Sequence, residues 1–203
     1  MALQSVMELP PNYNVAPTQP VLVARERDGI REGVAMRWGL IPSWAKDKKT
    51  SFINARSDTL AGKPAFRAAF KRRRCLILGN GYYEWKVAGK QKWPFYFRMK
   101  DDKPFTFAGV WETWKGEEPA IESCSIITTD GNELTRDVHD RMPVILSGDD
   151  ALAWLDPTIE DPTALLELLR PYPAEEMMAI PVSQLVNSVK NNNAQCIEPS
   201  THG

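Results

Sequence analysis

Two stretches, FTFAGVWETW (Phe105 to Trp114) and SCSIITT (Ser123 to Thr129), decide the fold class. Both are of strand length, rich in β-branched and aromatic residues, and bounded by residues that interrupt regular structure. Six more runs share this character: VLVARE (21 to 26), GVAMRWG (33 to 39), RCLILG (74 to 79), PFYFRM (94 to 99), PVILS (143 to 147) and MMAIPVS (177 to 183). Helical signals are fewer. Pro64 to Arg73 sets Phe66 and Phe70 four residues apart, Ser147 with Asp150 reads as a capping pair before Ala151 to Leu155, and Asp161-Pro162 opens a leucine-rich segment ending before Pro171. The elements do not alternate as βα repeats. They predict an α+β fold: a curved, mostly antiparallel sheet or barrel-like core with peripheral helices.

The chain has 203 residues, 43% of them hydrophobic and 25% charged, which suits one core, so residues 1–203 are read as a single domain. No apolar run has the length of a membrane span, and MALQSVMELPP lacks the basic start and apolar stretch of a signal peptide; a cytoplasmic monomer is expected. Cys75, Cys124 and Cys196 are odd in number and widely spaced, with two of them inside apolar runs. That pattern predicts buried, inert thiols and neither a disulfide framework nor a metal site. No cofactor is implied.

The net charge of −1 hides a polarised chain: Arg37 to Lys100 holds 16 Lys and Arg against three acids, and Trp38, Trp44, Trp85 and Trp93 lie in the same block. Cations interleaved with aromatic rings suit single-stranded nucleic acid, through phosphates and unstacked bases. The same composition also fits solvated lysine and arginine runs, KDKK (46 to 49) and KRRR (71 to 74), beside core tryptophans.

Four short patterns carry chemistry. In DVHDRMP (137 to 143), His139, the one histidine besides His202, stands between Asp137 and Asp140 and beside Arg141. Imidazole titrates near neutrality, which suits proton transfer. In GNGYYEW (79 to 85), Glu84 sits between Tyr83 and Trp85; a carboxylate against aromatic walls loses hydration and gains proton affinity, whereas strand alternation would instead send those rings inward and leave Glu84 exposed. In FINARSD, Asn54 and Arg56 fall on one face if the segment is extended, one offering an amide and the other a phosphate fork. YNVAPTQP (13 to 20) reads as a stiff turn, because Pro17 fixes its own φ and restricts Ala16.

Taken in order, YNVAPTQ, WGLIPSW, FINARSDT, KRRRCLI with GYYEWK, FAGVWE, SIITTDGN, VHDRMPVIL and VSQLVNSVKNN closely resemble the SRAP family, the SOS-response-associated peptidases that shield abasic sites in single-stranded DNA. The match runs from about Tyr13 to Pro199. The resemblance implies a partner, single-stranded DNA containing an abasic site, and an association with the nucleoid when DNA is bound. It implies capture of the sugar aldehyde by an N-terminal cysteine, whose amine forms an imine and whose thiol closes a thiazolidine. By the same likeness Glu84 and His139 are the proton-transfer pair and Asn54 orients the sugar. Arg56 and Arg141 match phosphate-binding positions, Thr128 a backbone contact, Trp44 and Trp85 the aromatics bordering a kinked strand, and Asn14 and Pro17 the NVAP turn.

The chain departs from the family at the nucleophile. Members begin Met-Cys-Gly-Arg-Phe, whereas this sequence begins Met1-Ala2-Leu3 with eleven residues between Ala2 and Asn14. It reads as shortened at its N-terminus, with an amine but no thiol at Ala2. Thiol and α-amine must belong to one residue, so no internal cysteine replaces the missing group. Noncovalent binding at abasic sites is therefore expected of this chain, with lyase and self-processing peptidase activities attached to the family's cysteine. A non-catalytic single-stranded DNA-binding module, supported by the basic block alone, is the alternative.

Overall fold

The computed structural model describes residues 3–200; Ala2 and His202 lie outside them. The chain opens with a short edge strand, β1 (Ser5–Val6), and a hairpin of β2 (Pro20–Arg27) and β3 (Ile30–Trp38). Asp28 and Gly29 make its turn at φ +53° and +78°, the left-handed pair that matches the twist of two antiparallel strands. There follow β4 (Asn54–Arg56), α1 (Arg67–Arg72), β5 (Arg74–Gly79), the hairpin β6 (Tyr82–Ala88) and β7 (Gln91–Met99), β8 (Phe105–Trp114) and β9 (Ile121–Asp130). The last third holds α2 (Glu133–Arg136), β10 (Arg141–Pro143), β11 (Ile145–Leu146), α3 (Gly148–Leu155), α4 (Pro162–Glu167) and β12 (Met177–Pro181).

Strands β3, β2, β5, β8 and β9 pair in that order, and β3 pairs again with β9, so the main sheet closes into a ring. Closure removes the free edges an open sheet would expose. A second sheet, β12-β7-β6, packs beside it. The α+β barrel-like expectation is met, with one addition: β1 on β3, β3 on β9 and β4 on β9 are parallel pairings inside an otherwise antiparallel sheet.

Ring strands β5, β8 and β9 are largely buried on both faces, which is why they read as continuous apolar runs rather than alternating ones. Ala24, Leu76, Ala108 and Val110 pack under the helical side with Phe70, Trp154 and Leu165. Their neighbours Val23, Ile77, Phe107 and Trp111 pack toward Phe97, Met99 and Met177 of the second sheet. All three cysteines are buried and free; burial pushes the Cys75 thiol well up and the Cys124 thiol to about 12, as expected for inert thiols.

Several local expectations change. PVILS is not one strand: β10 pairs with β9 and β11 with β8, the chain crossing between them at Val144, whose N–H donates to Ile127 and whose carbonyl accepts from Ala108. Ser147 takes the N-cap position of α3, which begins at Gly148 with φ +54°, but its side chain makes no capping hydrogen bond. Asp161 does cap α4, accepting from Thr163 N–H at 3.0 Å with Pro162 in the first turn. The single turn α2 has no counterpart among the expected helices; Asn132 caps it through Thr135 N–H at 2.9 Å.

The KRRR run divides: Lys71 and Arg72 are exposed, as in a solvated face, whereas Arg73 and Arg74 are tied to the protein. Arg73 pairs with Glu112 at 2.7 Å, and Arg74 is 6% exposed. The Arg74 guanidinium donates to the carbonyls of Phe70 and Lys71 at the end of α1, and to Trp154, Asp156 and Ile159 at and beyond the end of α3. A permanent cation thus serves the orphan carbonyls and negative dipole ends of two helices at once. Replacing it leaves those acceptors buried without a donor. Arg74→Ala should cost about 3–5 kcal/mol in urea unfolding, and Arg74→Lys should recover little of it, since an ammonium cannot fork to both helix ends.

Candidate functional site

β9 organises the site through both of its edges. On one side β4 runs parallel to it with Asn54 opposite Ile126, Ala55 opposite Ile127 and Arg56 opposite Thr128. On the other, β10 runs antiparallel with Arg141 opposite Asp130 and Pro143 opposite Thr128. In β4, Ala55 is buried while Asn54 and Arg56 are exposed, so strand alternation does place the two polar groups on one face. Asn54 makes no side-chain hydrogen bond among the described residues.

The two arginines are held differently. Arg56 is exposed and forks onto Asp58, with Nε to Oδ1 at 3.2 Å and an Nη to Oδ2 at 2.7 Å. Asp58, and more distantly Asp130 and Asp140, favour its charged form, while Arg56 holds the Asp58 carboxyl below the usual carboxylate range. The Arg141 side chain is only 15% exposed; it donates to Thr128 O at 2.6 Å, to Thr128 Oγ1 at 3.3 Å and to Asp130 Oδ1 at 3.2 Å. Thr128 therefore anchors Arg141.

His139 follows the α2 turn. Its N–H donates to Thr135 O at 2.8 Å, and its Nδ1 lies 3.1 Å from both the amide and the carbonyl of Arg141. Nδ1 can accept from the one or donate to the other, so the backbone accommodates either tautomer and leaves Nε2 unengaged. Asp140 Oδ1 is 3.4 Å from Nδ1.

Glu84 comes from the other sheet. In β6, Tyr83 and Trp85 turn to a satellite core with Tyr96, Val182 and Val186, and Glu84 points to the opposite face, its cross-strand neighbour being Phe95. The aromatic walls expected from Tyr83 and Trp85 are thus on the wrong side. Glu84 is nevertheless half-buried, without a hydrogen bond or ion pair among the described residues. Burial raises its proton affinity, His139 lowers it and Asp140 raises it again. The charges of His139 and Asp140 acting on Glu84 place imidazole and carboxyl within mutual electrostatic reach.

The remaining expected residues are dispersed. Trp44 is 59% exposed in the loop between β3 and β4. Trp85 donates from Nε1 to Asn187 Oδ1 at 2.7 Å, on the far face of β6 from Glu84. Pro17 is exposed in a turn closed by Gln19 N–H to Ala16 O at 3.1 Å, with Thr18 at φ +77°. Asn14 is buried, its amide donating at 3.1 Å to the carbonyls of Val186, Ser188 and Asn191; it ties the N-terminal turn to the C-terminal loop. Tyr82, Asp58 and Asp130 belong to the site's surroundings but carried no separate signal. Each lies inside a quoted motif, and pairing of Asp58 with Arg56 two residues away was the one contact the spacing could have suggested.

The arrangement offers an unpaired carboxyl and an imidazole that act on each other electrostatically, both of types suited to proton transfer, and on β4 and β10 two guanidinium groups and a free amide. The described residues include no group of three or more His, Cys, Asp or Glu arranged to hold a metal. No helix among them is long and apolar enough to cross a membrane.

The sequence model of the family described as SOS response associated peptidase (SRAP) matches residues 2–189. An abasic site processing protein, YoaM of Bacillus subtilis, is 45% identical over 96% of this chain and 88% of its own length. The abasic site processing protein HMCES of Gallus gallus is 35% identical over 93% of this chain and 66% of its own. An X-ray structure of a protein from Bacteroides thetaiotaomicron superposes with a TM-score of 0.81 at 30% identity, covering 90% of this chain and 82% of that one. With a family match across nearly the whole sequence and relatives at this level of identity, the chain belongs to the SOS response associated peptidase (SRAP) family.

Proposed function

We propose that the chain, as a single domain over residues 1–203, processes abasic sites by binding single-stranded DNA at the lesion. Arg56 and Arg141 receive the flanking phosphates, Asn54 orients the opened sugar, and Glu84 and His139 move protons during ring opening and loss of water. The observation that carries this reading is the Glu84 carboxyl: half-buried, without a hydrogen bond or ion pair among the described residues, and under the electrostatic influence of His139. Trp44 and Trp85 supply rings at the margins where a strand kinked at the lesion leaves its stack, and the Asn14 and Pro17 turn shapes the adjoining rim. Chemistry of this kind on DNA is consistent with a cytoplasmic protein that joins the nucleoid when bound.

The family's thiazolidine chemistry needs thiol and α-amine on one residue. Cys75, Cys124 and Cys196 offer neither: their nitrogens are in peptide bonds and their thiols are buried. The reading for the residues present is therefore noncovalent capture. After incubation with a single-stranded oligonucleotide bearing one abasic site, a heated denaturing gel should show no shifted band; a heat-stable band would overturn this part of the proposal.

Division of labour between the groups is testable by titrating labelled oligonucleotides with and without the lesion. Arg56→Ala should weaken binding to both and flatten the dependence of log affinity on log salt by about 0.7, the contribution of one phosphate contact on a single strand. Glu84→Gln and His139→Ala should leave affinity for the intact strand unchanged while weakening preference for the lesion. Equal losses from all three would favour a binding module without proton chemistry.

Glu84 also predicts a stability signature independent of DNA. A carboxyl whose proton affinity is raised by folding makes the folded state bind more protons than the unfolded one once pH exceeds the ordinary value of 4.5, so stability is lost as pH rises through the folded pKa. Glu84→Gln should be more stable than the parent at neutral pH, with the difference vanishing in acid below that value. Urea unfolding at a series of pH values measures it; a variant less stable at neutral pH would mean the carboxylate is satisfied by a partner.

A further inference from the structure

The proposed phosphate-binding arginines are already occupied. Arg56 offers Nε and an Nη to Asp58 in the two-point geometry with which guanidinium grips a phosphate, and Arg141 spends its donors on Thr128 and Asp130. Counting Arg56 and Arg141 against Asp58, Asp130 and Asp140, the fixed charges do not favour an anion, and the whole chain carries −1. Within the basic block Lys48, Arg73 and Arg98 are paired with Glu117, Glu112 and Asp102 and Arg74 is buried among carbonyls, whereas Lys46, Lys49, Lys63, Lys71 and Arg72 are exposed and supply a diffuse attraction that does not distinguish damaged from intact strands.

We propose that Asp58 and Asp130 are affinity-setting residues whose carboxylates occupy the phosphate positions of Arg56 and Arg141 and so hold back single strands that bring no further contacts to the site. The inference rests on the reading of those arginines given above. Any strand must displace or share the carboxylates to reach the guanidinium groups, and that cost is the same with or without a lesion. An intact nucleotide must in addition unstack its base to present its sugar, whereas an abasic one has no base to unstack and gains the contacts of Glu84, His139 and Asn54. The carboxylates thereby lower the affinity for every strand by the same factor, so that at a given protein concentration intact strands stay largely unbound while the added contacts of the lesion still hold the damaged one. Both are exposed, Asp58 at 51% and Asp130 at 77% of the side chain, so neutralising them leaves the core untouched.

The test uses Asp58→Asn, Asp130→Asn and the double variant, each titrated with intact and abasic single strands across a salt series. Asp28→Asn makes the same charge change at the β2–β3 turn, at the opposite end of β3 from the site, and controls for net charge. The site variants should bind intact and abasic strands alike about fivefold more tightly each at low salt, with the salt dependence steepened by about 0.7 per freed guanidinium and the ratio between the two strands unchanged. Asp28→Asn should show neither change. Unchanged or weaker binding of the intact strand by the site variants would overturn the proposal, assigning the carboxylates to orienting the arginines instead. Equal gains from Asp28→Asn would also overturn it, in favour of simple net charge. If the parent protein itself showed no preference for the lesion, the functional reading would fail before the role of the aspartates arose.

Discussion

Everything in the site hangs from the two-sided pairing of β9. One edge of that strand is taken first by β8 and then by β10, the other first by β3 and then by β4, so its C-terminal residues are held between two short strands. Register in a sheet is all or nothing for side-chain direction: a slip of β4 by one residue would turn Ala55 to solvent and Asn54 and Arg56 into the core. Burial of Ala55 in a cluster with Leu40, Leu60 and Ile127 forbids that slip. The positions of the polar groups are therefore enforced by an apolar neighbour.

The same ring explains how the molecule tolerates its cations. Most arginines of the basic block do structural work close to home, Arg37 on the Gly39 carbonyl, Arg73 on Glu112 and Arg74 on two helix ends. Arg74 joins α1 and α3, the elements that cover one face of the ring, while Trp154 of α3 donates its indole N–H to Cys75 and Gly109 carbonyls in β5 and β8. Charge density along the sequence thus overstated the charge available to a ligand. What remains for an anion is the exposed lysines and arginines such as Lys46, Lys63 and Arg72, and, at the site, two guanidinium groups paired with aspartates.

The strands at 105–114 and 123–129 could be read from the sequence because they are buried on both faces and have no alternative period to imitate. PVILS was read as one strand because composition records burial and not partner exchange; the break at Val144 arises where β8 and β9 part and the chain follows each in turn. Ser147 stands at the N-cap of α3, as its spacing of three residues from Asp150 suggested, but Gly148 opens the helix at a positive φ and the serine hydroxyl makes no capping bond. Among the candidate groups, Asn54 and Arg56 on one face followed from alternation. The burial of Glu84 did not follow from its neighbours, because alternation turns Tyr83 and Trp85 away. Its desolvation comes from Phe95 across the hairpin and from the packing of one sheet on another, which no local pattern encodes.

That packing is also what joins Glu84 to His139, since they stand on different sheets. Tyr82 is the joint. Its ring stacks on Phe97 with centroids 5.0 Å apart and meets the edge of Phe107 at 6.1 Å, tying β6 to β7 and to β8 of the ring. Its hydroxyl lies 3.4 Å from Thr135 Oγ1, and the carbonyl of the same threonine receives the His139 N–H. Two residues along β6 from Tyr82, on the same face, is Glu84. The path from carboxyl to imidazole therefore runs through a buried aromatic stack and one fully buried threonine. A geometry set by a close-packed core resists small displacements, because neighbouring rings cannot move without opening voids. The acid–base pair is placed by the same apolar contacts that hold the two sheets together.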